Sequence, residues 1–226
     1  METKTKQLKK DLLNWYKNNK RSFSWRNTND PWNILLIEII SQQTQINRAN
    51  TYYQKFIKKF PTPESMSKSS LKTILKMWSG LGYNIRAKRI YESSKILAEK
   101  GFEEIYPNFE LLPGVGQYTK NAILSFAYGD KVLAVDTNLE RIITRYFGVD
   151  NTKDYVRKYS NLLLEDINSK DLNQAFMDFG SSICTSSKTK CDICPLEKSC
   201  KKYFLNSSNS INKFKGSNRE LRGKII

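Results

Sequence analysis

The sequence contains no histidine among its 226 residues. This absence removes the commonest general base near neutral pH and the commonest metal ligand among side chains. Acid–base chemistry must therefore use carboxylates, tyrosine, lysine or cysteine. The chain also lacks a long apolar run, because the longest, at 34–40, is interrupted by Glu38. No segment reaches the roughly 18 apolar residues of a membrane span, and the N terminus lacks the apolar region of a secretory signal. We expect an intracellular protein with no membrane partner.

Acidic residues are scarce relative to basic ones. The chain has 22 Asp and Glu against 38 Lys and Arg, which gives a formal net charge of +16. A basic surface raises the local concentration of phosphate groups and speeds encounter with a polyanion. A solubilising surface in a lysine-rich proteome is the alternative, and a membrane surface or an acidic protein also remains open as a partner. On charge alone we favour a nucleic acid.

Cysteine is also rare and is confined to one stretch. The four cysteines follow the spacing Cys184-x6-Cys191-x2-Cys194-x5-Cys200. A disulfide framework would normally spread cysteines along a secreted chain. Four thiolates this close together can instead surround a soft metal centre. The spacing by itself leaves a zinc site and an iron–sulfur cluster as equal alternatives.

No segment has the alternating pattern of a good strand, and helical spacing of apolar residues recurs along the chain. Asp30 and Pro31 form a helix start, and Asp136 or Thr137 begins a helix that ends at Gly148. The stretch PTPES is predicted to break the chain. We predict an all-α protein whose further helices cover 6–19, 46–60, 70–78, 85–100, 152–167 and 171–183.

The turn LPGVG at 112–116 is predicted to lie between two short helices. Its glycines allow a positive φ and a close backbone approach, and the amides that begin the next helix favour an anion. With the basic charge of the chain, a DNA phosphate is the natural ligand. An ordinary link between helices is the alternative, and a Walker loop is excluded because no G-K-[ST] follows.

Glu38 is a single carboxyl group in a run of isoleucine and leucine. Burial disfavours the charged form and raises the pKa, which makes a general acid available near neutral pH. A glutamate on the one polar stripe of a buried helix, paired with an arginine, is the alternative. On this residue alone the alternative is favoured.

Several motifs together resemble the MutY-type adenine glycosylases of the helix–hairpin–helix, iron–sulfur DNA glycosylase superfamily, which also includes endonuclease III. The resemblance covers about residues 8–204. IEIISQQTQ resembles the catalytic helix, GLGY the wedge loop, LPGVG the hairpin, VDTN the second carboxylate segment, and NQAFMDFGSSIC the approach to the cysteines.

The resemblance implies a two-lobed fold and a [4Fe–4S] cluster. A six-helix barrel lobe with the hairpin would cover 28–134, and an iron–sulfur lobe would combine 1–27 with 135–204. Residues 205–226 would be a flexible tail or a truncated extension, and their Ser, Asn and Lys content is typical of mobile segments. The cluster would be held by the four cysteines in a structural role (Cys184, Cys191, Cys194 and Cys200).

The resemblance also implies a base-excision-repair enzyme that acts as a monomer on double-stranded DNA with a mismatch or lesion, in the cytoplasm or nucleoid of a prokaryote. The target nucleotide would be flipped out, and Glu38 would protonate the leaving adenine. Asp136 would stabilise the oxocarbenium-like sugar. Further positions carry over residue by residue: Asn138 and Tyr118 beside the carboxylates; Gln42 and Gln43 at the gap and opposite base; Tyr83 as the wedge; Gly114 and Gly116 on a phosphate; and Trp25, Arg26 and Gln174 in the base pocket.

Each of these positions has a structural alternative. Asp136 fits a plain helix N-cap, Asn138 and Tyr118 fit capping and packing residues, and Tyr83 fits a core aromatic. Endonuclease III-like relatives have a lysine where Tyr118 stands and use it to nick the strand. Lys120 lies about 200° around the helix and should face away. We therefore predict a monofunctional enzyme that leaves an abasic site.

Adenine opposite 8-oxoguanine or guanine is the predicted substrate. MutY enzymes commonly add a C-terminal domain that reads 8-oxoguanine, and the chain ends at Ile226, so selectivity for 8-oxoguanine over guanine is not expected. The alternatives are a thymine/uracil glycosylase acting on G·T or G·U, an endonuclease III-type lyase, and a non-catalytic iron–sulfur DNA-binding module.

Overall fold

A computed structural model describes residues 1–204 of the protein. All regular structure in this range is helical, which confirms the all-α prediction, and none of its helices is long and apolar enough to cross a membrane. The predictions for 205–226 fall outside the described residues. Ten α-helices follow one another in this range: α1 (Glu2–Asn19), α2 (Pro31–Ser41), α3 (Ile46–Lys59), α4 (Pro63–Ser67), α5 (Leu71–Trp78), α6 (Ile85–Ile105), α7 (Gln117–Ile123), α8 (Thr137–Phe147), α9 (Thr152–Leu164) and α10 (Ser169–Ser182).

Side-chain caps fix the starts of the two helices that matter most for the site. The Asp30 carboxylate accepts hydrogen bonds from the amides of Trp32 (2.7 Å) and Asn33 (3.3 Å) at the start of α2. Asp136, rather than Thr137, caps α8 and accepts the Leu139 amide at 2.8 Å. Such caps satisfy backbone donors that the first helical turn leaves unpaired.

Two local predictions need correction. PTPES does not simply break the chain, because α4 begins within it. Thr62 and Ser65 each accept a hydrogen bond from the other's amide, a capping box followed directly by Pro63. Gly101 has φ 76° and interrupts the helix as predicted, but helical turns resume after it, so α6 continues to Ile105.

Buried side chains form two apolar clusters. The first is built from residues between 32 and 134 and includes Leu35, Phe56 and Trp78. The second joins α1 to α8, α9 and α10 and includes Leu8 and Phe176. The chain therefore returns its first helix to the C-terminal helices, and the two clusters flank a cleft.

A buried polar network joins α10 to the segment 125–134. Asn173 on α10 accepts the Ala134 amide at 2.9 Å and donates to the Val132 carbonyl at 2.9 Å and to Ser125 Oγ at 3.0 Å. Ser125 Oγ lies 3.0 Å from Ser169 Oγ. Because unpaired buried polar groups are costly, this satisfied network favours one relative placement of the helices that line the cleft.

Candidate active site

A cavity of about 360 Å³ lies in the cleft between the two clusters. Its size lies in the range of small-molecule binding sites. The structure brings seven of the predicted site residues to its wall: Trp25, Arg26, Glu38, Tyr118, Asp136, Asn138 and Gln174. Sequence reasoning missed several other lining residues, among them Arg21, Phe23, Lys170, Met177 and Ser181.

Glu38 is presented to the cavity by the apolar helix α2 and is only 9% exposed. Burial raises the pKa of Glu38 from its ordinary value of 4.5 to about 7. A hydrogen bond from Tyr118 opposes this change, and the nearby charge of Asp136 adds to it. Glu38 therefore exchanges a proton near neutral pH, although its apolar neighbours in the sequence, taken alone, favoured a glutamate on a polar stripe.

Tyr118 stands in the first turn of α7, directly after the LPGVG turn. Burial raises the pKa of its phenol well above 10, and the charges of Glu38 and Asp136 act in the same direction. The hydroxyl therefore keeps its proton and donates a hydrogen bond to the Glu38 carboxyl group.

Asp136 combines the capping and site interpretations. One carboxylate oxygen accepts the Leu139 amide, and the other accepts Asn138 Nδ2 at 2.6 Å. Both contacts come from N–H donors at a helix N terminus, where the helix dipole favours negative charge. The N-cap thus holds this carboxylate in place at the cavity wall, so the two interpretations are compatible.

Arg141 connects this carboxylate to the cysteine-containing segment. It donates to Asn138 Oδ1 at 2.7 Å and to the carbonyls of Gly180 and Cys184, both at 2.7 Å. A Cβ at Gly180 would lie 2.5 Å from Asn138 Cβ, so α10 and α8 approach as closely as glycine permits. Sequence reasoning missed Arg141, because nothing in its local pattern marks its partners.

A second set of contacts forms the wall around Trp25 and Arg26. The fully buried Asp178 accepts Arg21 Nε at 2.6 Å and two Arg26 nitrogens at 2.7 Å each. Burial alone would raise the pKa of Asp178, but the hydrogen bonds from Arg26 and Arg21 hold it below its ordinary value. Phe23 stacks on Trp25 with ring centroids 4.4 Å apart. These contacts hold the segment after α1 against α10.

Two further polar residues of the wall already have protein partners. The side-chain oxygen Oε1 of Gln174 accepts a hydrogen bond from the Tyr16 hydroxyl at 2.7 Å, and burial raises the pKa of Tyr16 to about 12. The amine of Lys170 donates to the Thr28 carbonyl and to Asn29 Oδ1, both at 2.9 Å, and burial lowers its pKa.

The residues predicted to contact DNA lie outside the cavity. Gln42 donates to the Gly114 carbonyl at 3.2 Å and thus lies against the hairpin, beside a shallow hollow that also includes Gly116. Gly114 has φ 89° and occupies a conformation that other residues rarely adopt. Gln43 and Tyr83 also have positive φ, 53° and 47°, although neither is glycine. Tyr83 is 50% exposed.

The four cysteines line a second cavity, beneath α8, with apolar neighbours that include Phe179 and Leu196. Two N–H donors reach their sulfurs: Arg145 lies 3.4 Å from Cys184 Sγ, and the Lys202 amide lies 3.3 Å from Cys200 Sγ. Within residues 1–204, no three His, Cys, Asp or Glu side chains converge as ligands of a single metal ion.

Comparison with known proteins identifies the family. The model of the HhH-GPD superfamily of base excision DNA repair proteins matches residues 36–166. This span includes Glu38, the hairpin and Asp136. The chain belongs to the HhH-GPD superfamily. The resemblance to this superfamily that was inferred from the motifs is thereby confirmed.

Several relatives of this HhH-GPD protein share the name adenine DNA glycosylase. This chain is 39% identical over 210 residues to an adenine DNA glycosylase of Buchnera aphidicola subsp. Baizongia pistaciae, and the alignment covers 89% of this chain and 60% of the relative. It is 30% identical over 230 residues to the adenine DNA glycosylase of Mycolicibacterium smegmatis, covering 96% and 78%. The chain spans about three fifths of the length of the Buchnera relatives that it matches.

Solved structures show the same fold. A thermostable thymine-DNA glycosylase aligns with a TM-score of 0.81 and 31% identity, over 89% of this chain and 97% of the other. An endonuclease III in a non-covalent DNA complex aligns with a TM-score of 0.74 and 21% identity, over 89% and 96%. Because its sequence identity is only 21%, the endonuclease III structure supports the helix–hairpin–helix fold alone.

Proposed function

We propose that the protein is a monofunctional adenine DNA glycosylase that removes adenine mispaired with guanine or 8-oxoguanine. The observation that carries this proposal is the pair of carboxyl groups in the central cavity. Glu38 has a pKa of about 7 and is influenced by the charge of Asp136. Curated relatives named adenine DNA glycosylase support adenine as the base.

Glu38 is the general acid in this mechanism. A flipped adenine is a poor leaving group until one of its ring nitrogens is protonated, and N7 is the position that we propose. A carboxyl group with a pKa near 7 is still substantially protonated at neutral pH, and it is a stronger acid than an unperturbed phenol or amine. The Tyr118 hydroxyl orients the carboxyl group through its hydrogen bond.

Asp136 faces the positive charge that develops as the C1′–N bond breaks. A carboxylate near the sugar stabilises an oxocarbenium-like transition state, as in glycoside hydrolases. Asn138 and the Leu139 amide hold the Asp136 carboxylate from two directions. This arrangement limits its movement, so little reorganisation is needed during the reaction.

The side chains around the cavity favour base removal without strand nicking. A lyase needs a free amine to form a Schiff base, and position 118 is a tyrosine. Lys170 lines the cavity, but its amine is bound to the Thr28 carbonyl and to Asn29. Lys120 pairs with Glu110 at 2.9 Å and is not among the residues lining the cavity. We therefore propose that water adds to C1′ as the base leaves, with loss of a proton, and that the reaction stops at the resulting abasic site.

The proposed partner is double-stranded DNA, bound across the rim of the cavity. Gly114 and Gly116 would face a phosphate, Gln42 and Gln43 the opposite base, and Tyr83 the base stack. The formal charge of +16 favours a polyanion. Affinity should fall steeply with salt, by about 0.9 log units per log unit of salt for each phosphate neutralised.

We propose a [4Fe–4S] cluster on Cys184, Cys191, Cys194 and Cys200. All four thiols line one apolar cavity, with N–H donors at two sulfurs. These features fit an iron–sulfur cluster held by four thiolates. The cluster would be structural, closing a segment that carries Lys188, Lys190, Lys198, Lys201 and Lys202.

One assay tests the reaction. Duplexes that contain a single A·8-oxoG, A·G, T·G or U·G pair are incubated with the protein, and strand breaks are read with and without hot alkali. Adenine excision that requires alkali for breakage is the expected result. Breakage without alkali would contradict the monofunctional mechanism.

A visible absorption band near 400 nm, lost in a Cys194→Ser variant, would separate an iron–sulfur cluster from zinc.

Thymine excision from G·T is the second candidate function. The thymine-DNA glycosylase named above shares 31% identity and almost its whole length with this fold. The same duplex panel distinguishes the two candidates, because cleavage of T·G without A·G or A·8-oxoG would replace adenine by thymine as the substrate.

A further inference from the structure

Arg86, at the start of α6, is a charged residue that the mechanism above does not use. Its side chain is only 4% exposed, and it lies over the Trp78 ring at 5.2 Å. Burial lowers the pKa of its guanidinium, so the charge is held in the interior at a cost. Hydrogen bonds to the guanidinium offset part of this cost, so the partners of Arg86 indicate its role.

The guanidinium joins two loops that are far apart in sequence. Its Nη1 donates to the carbonyls of Ile40 at 2.9 Å and Gln42, and to Thr44 Oγ1 at 3.1 Å. Its Nη2 donates to the carbonyls of Leu81 and Gly82, both at 3.1 Å. One terminal nitrogen of the planar guanidinium thus binds the loop after α2, and the other binds the GLGY loop.

Each loop has a left-handed residue directly after a carbonyl that Arg86 binds. Gln43, with φ 53°, follows the Gln42 carbonyl, and Tyr83, with φ 47°, follows the Gly82 carbonyl. The left-handed conformation is costly for residues other than glycine. It persists only where the surrounding structure imposes it, and such residues cluster at functional sites.

We infer that Arg86 is a positioning residue that holds Gln43 and Tyr83 in their left-handed conformations. It thereby fixes the spacing between these two residues, which we call the loop tips. The inference rests on the proposed function for one point only, namely that both tips enter the DNA duplex. On α3, Arg48 also binds the GLGY loop, at the Gly80 carbonyl, and Tyr52 binds the Ser79 carbonyl just before it. Arg86 is distinct in binding both loops.

Hydrogen–deuterium exchange of the DNA-free protein tests the inference without any activity. In Arg86→Lys an ammonium replaces the fork and cannot reach both loops in the same geometry. We expect faster exchange at the Thr44 amide, which bonds the Ser41 carbonyl, and at the Leu81 amide, which bonds the Trp78 carbonyl. An Arg86→Met variant is measured in parallel. Its control is Lys100→Met, which removes a charge from an exposed position of the same helix. Faster exchange in only one loop, or in neither, would overturn the inference.

DNA binding supplies the second measurement, with an uncleavable 2′-fluoro-deoxyadenosine opposite 8-oxoguanine. Freeing one tip from its left-handed conformation should cost about tenfold in mismatch affinity, with affinity for an undamaged duplex changed by less than about twofold. Equal weakening on both duplexes in Arg86→Lys would overturn the positioning role. If wild-type protein shows no preference for the mismatch, the proposed function fails, while the exchange result still decides the role of Arg86.

Discussion

Glu38→Gln replaces a buried carboxyl group by an amide of nearly the same shape. The amide oxygen can still accept the hydrogen bond from Tyr118, so the packing of the cavity is preserved. Only the ability to bind and release a proton is lost. The variant therefore isolates the proton equilibrium of Glu38 from its contacts.

The pKa of Glu38 gives the expected magnitude. Burial raises it from 4.5 to about 7, so between these pH values the folded protein binds a proton that the unfolded chain has lost. By linkage, wild-type stability then falls as pH rises through this window, and the penalty is fully present above pH 7. The complete penalty is about 3 kcal/mol, of which about 2 kcal/mol develops between pH 5.5 and 8.5.

Urea unfolding of wild type and Glu38→Gln at pH 5.5, 7.0 and 8.5 measures this term, because other titrating groups cancel in the difference. The glutamine variant should gain about 2 kcal/mol relative to wild type over this range, or about 4–8 °C in melting temperature. Glu99→Gln, which removes an exposed carboxyl group on α6, should show no such trend. If the difference in unfolding free energy between wild type and Glu38→Gln stays constant with pH, the argument that burial keeps Glu38 protonated is refuted.

The same pKa predicts the pH dependence of the proposed reaction. Under single-turnover conditions, excision by wild type should decline above about pH 7 as the protonated fraction of the acid falls. Glu38→Gln should bind the mismatched duplex and remove no base. Undiminished excision by this variant would show that another group supplies the proton.

Three further substitutions test separate parts of the site. Asp136→Asn keeps an N-cap residue of equal quality, so unfolding free energy should change by less than about 1 kcal/mol while excision falls at least about a hundredfold; parallel losses measured by urea unfolding and single-turnover assay would leave Asp136 as a cap alone. Tyr118→Lys should introduce strand nicking without alkali, with an enzyme–DNA adduct trapped by borohydride; no adduct would place position 118 out of reach of the sugar. Gly114→Ala puts a Cβ 3.1 Å from Arg89 Cδ at φ 89°, and should cost about 1–2 kcal/mol in urea unfolding and weaken all DNA duplexes alike; unchanged DNA affinity would remove the hairpin from the interface.

Sequence reasoning succeeded for several features whose determinant is local. The helical spacing gave the all-α class, and Asp30 with Pro31 gave the start of α2, because caps depend on residues two or three positions apart. The capping box that begins α4 was also present in the sequence as Thr62 and Ser65, and was overlooked. The motif order indicated the superfamily, which the match over residues 36–166 confirms.

The supporting contacts of the site could not be predicted, because they join residues far apart without any repeating pattern. Asp178 binds Arg21 across 157 positions, and Arg86 binds the Gln42 carbonyl across 44. A buried charge needs several donors or acceptors converging on it, and convergence is a property of packed helices.

The sequence by itself determined which chemical groups are available: no histidine, one carboxyl group within an apolar helix, a tyrosine after the hairpin, and four clustered cysteines. Only the tertiary structure decided how these groups behave. Glu38 has a pKa of about 7 because α2, α7 and α8 together exclude water from it and bring Tyr118 and Asp136 within its reach. Desolvation and the field of neighbouring charges depend on position in space, so the same residues in an open chain would have ordinary proton equilibria.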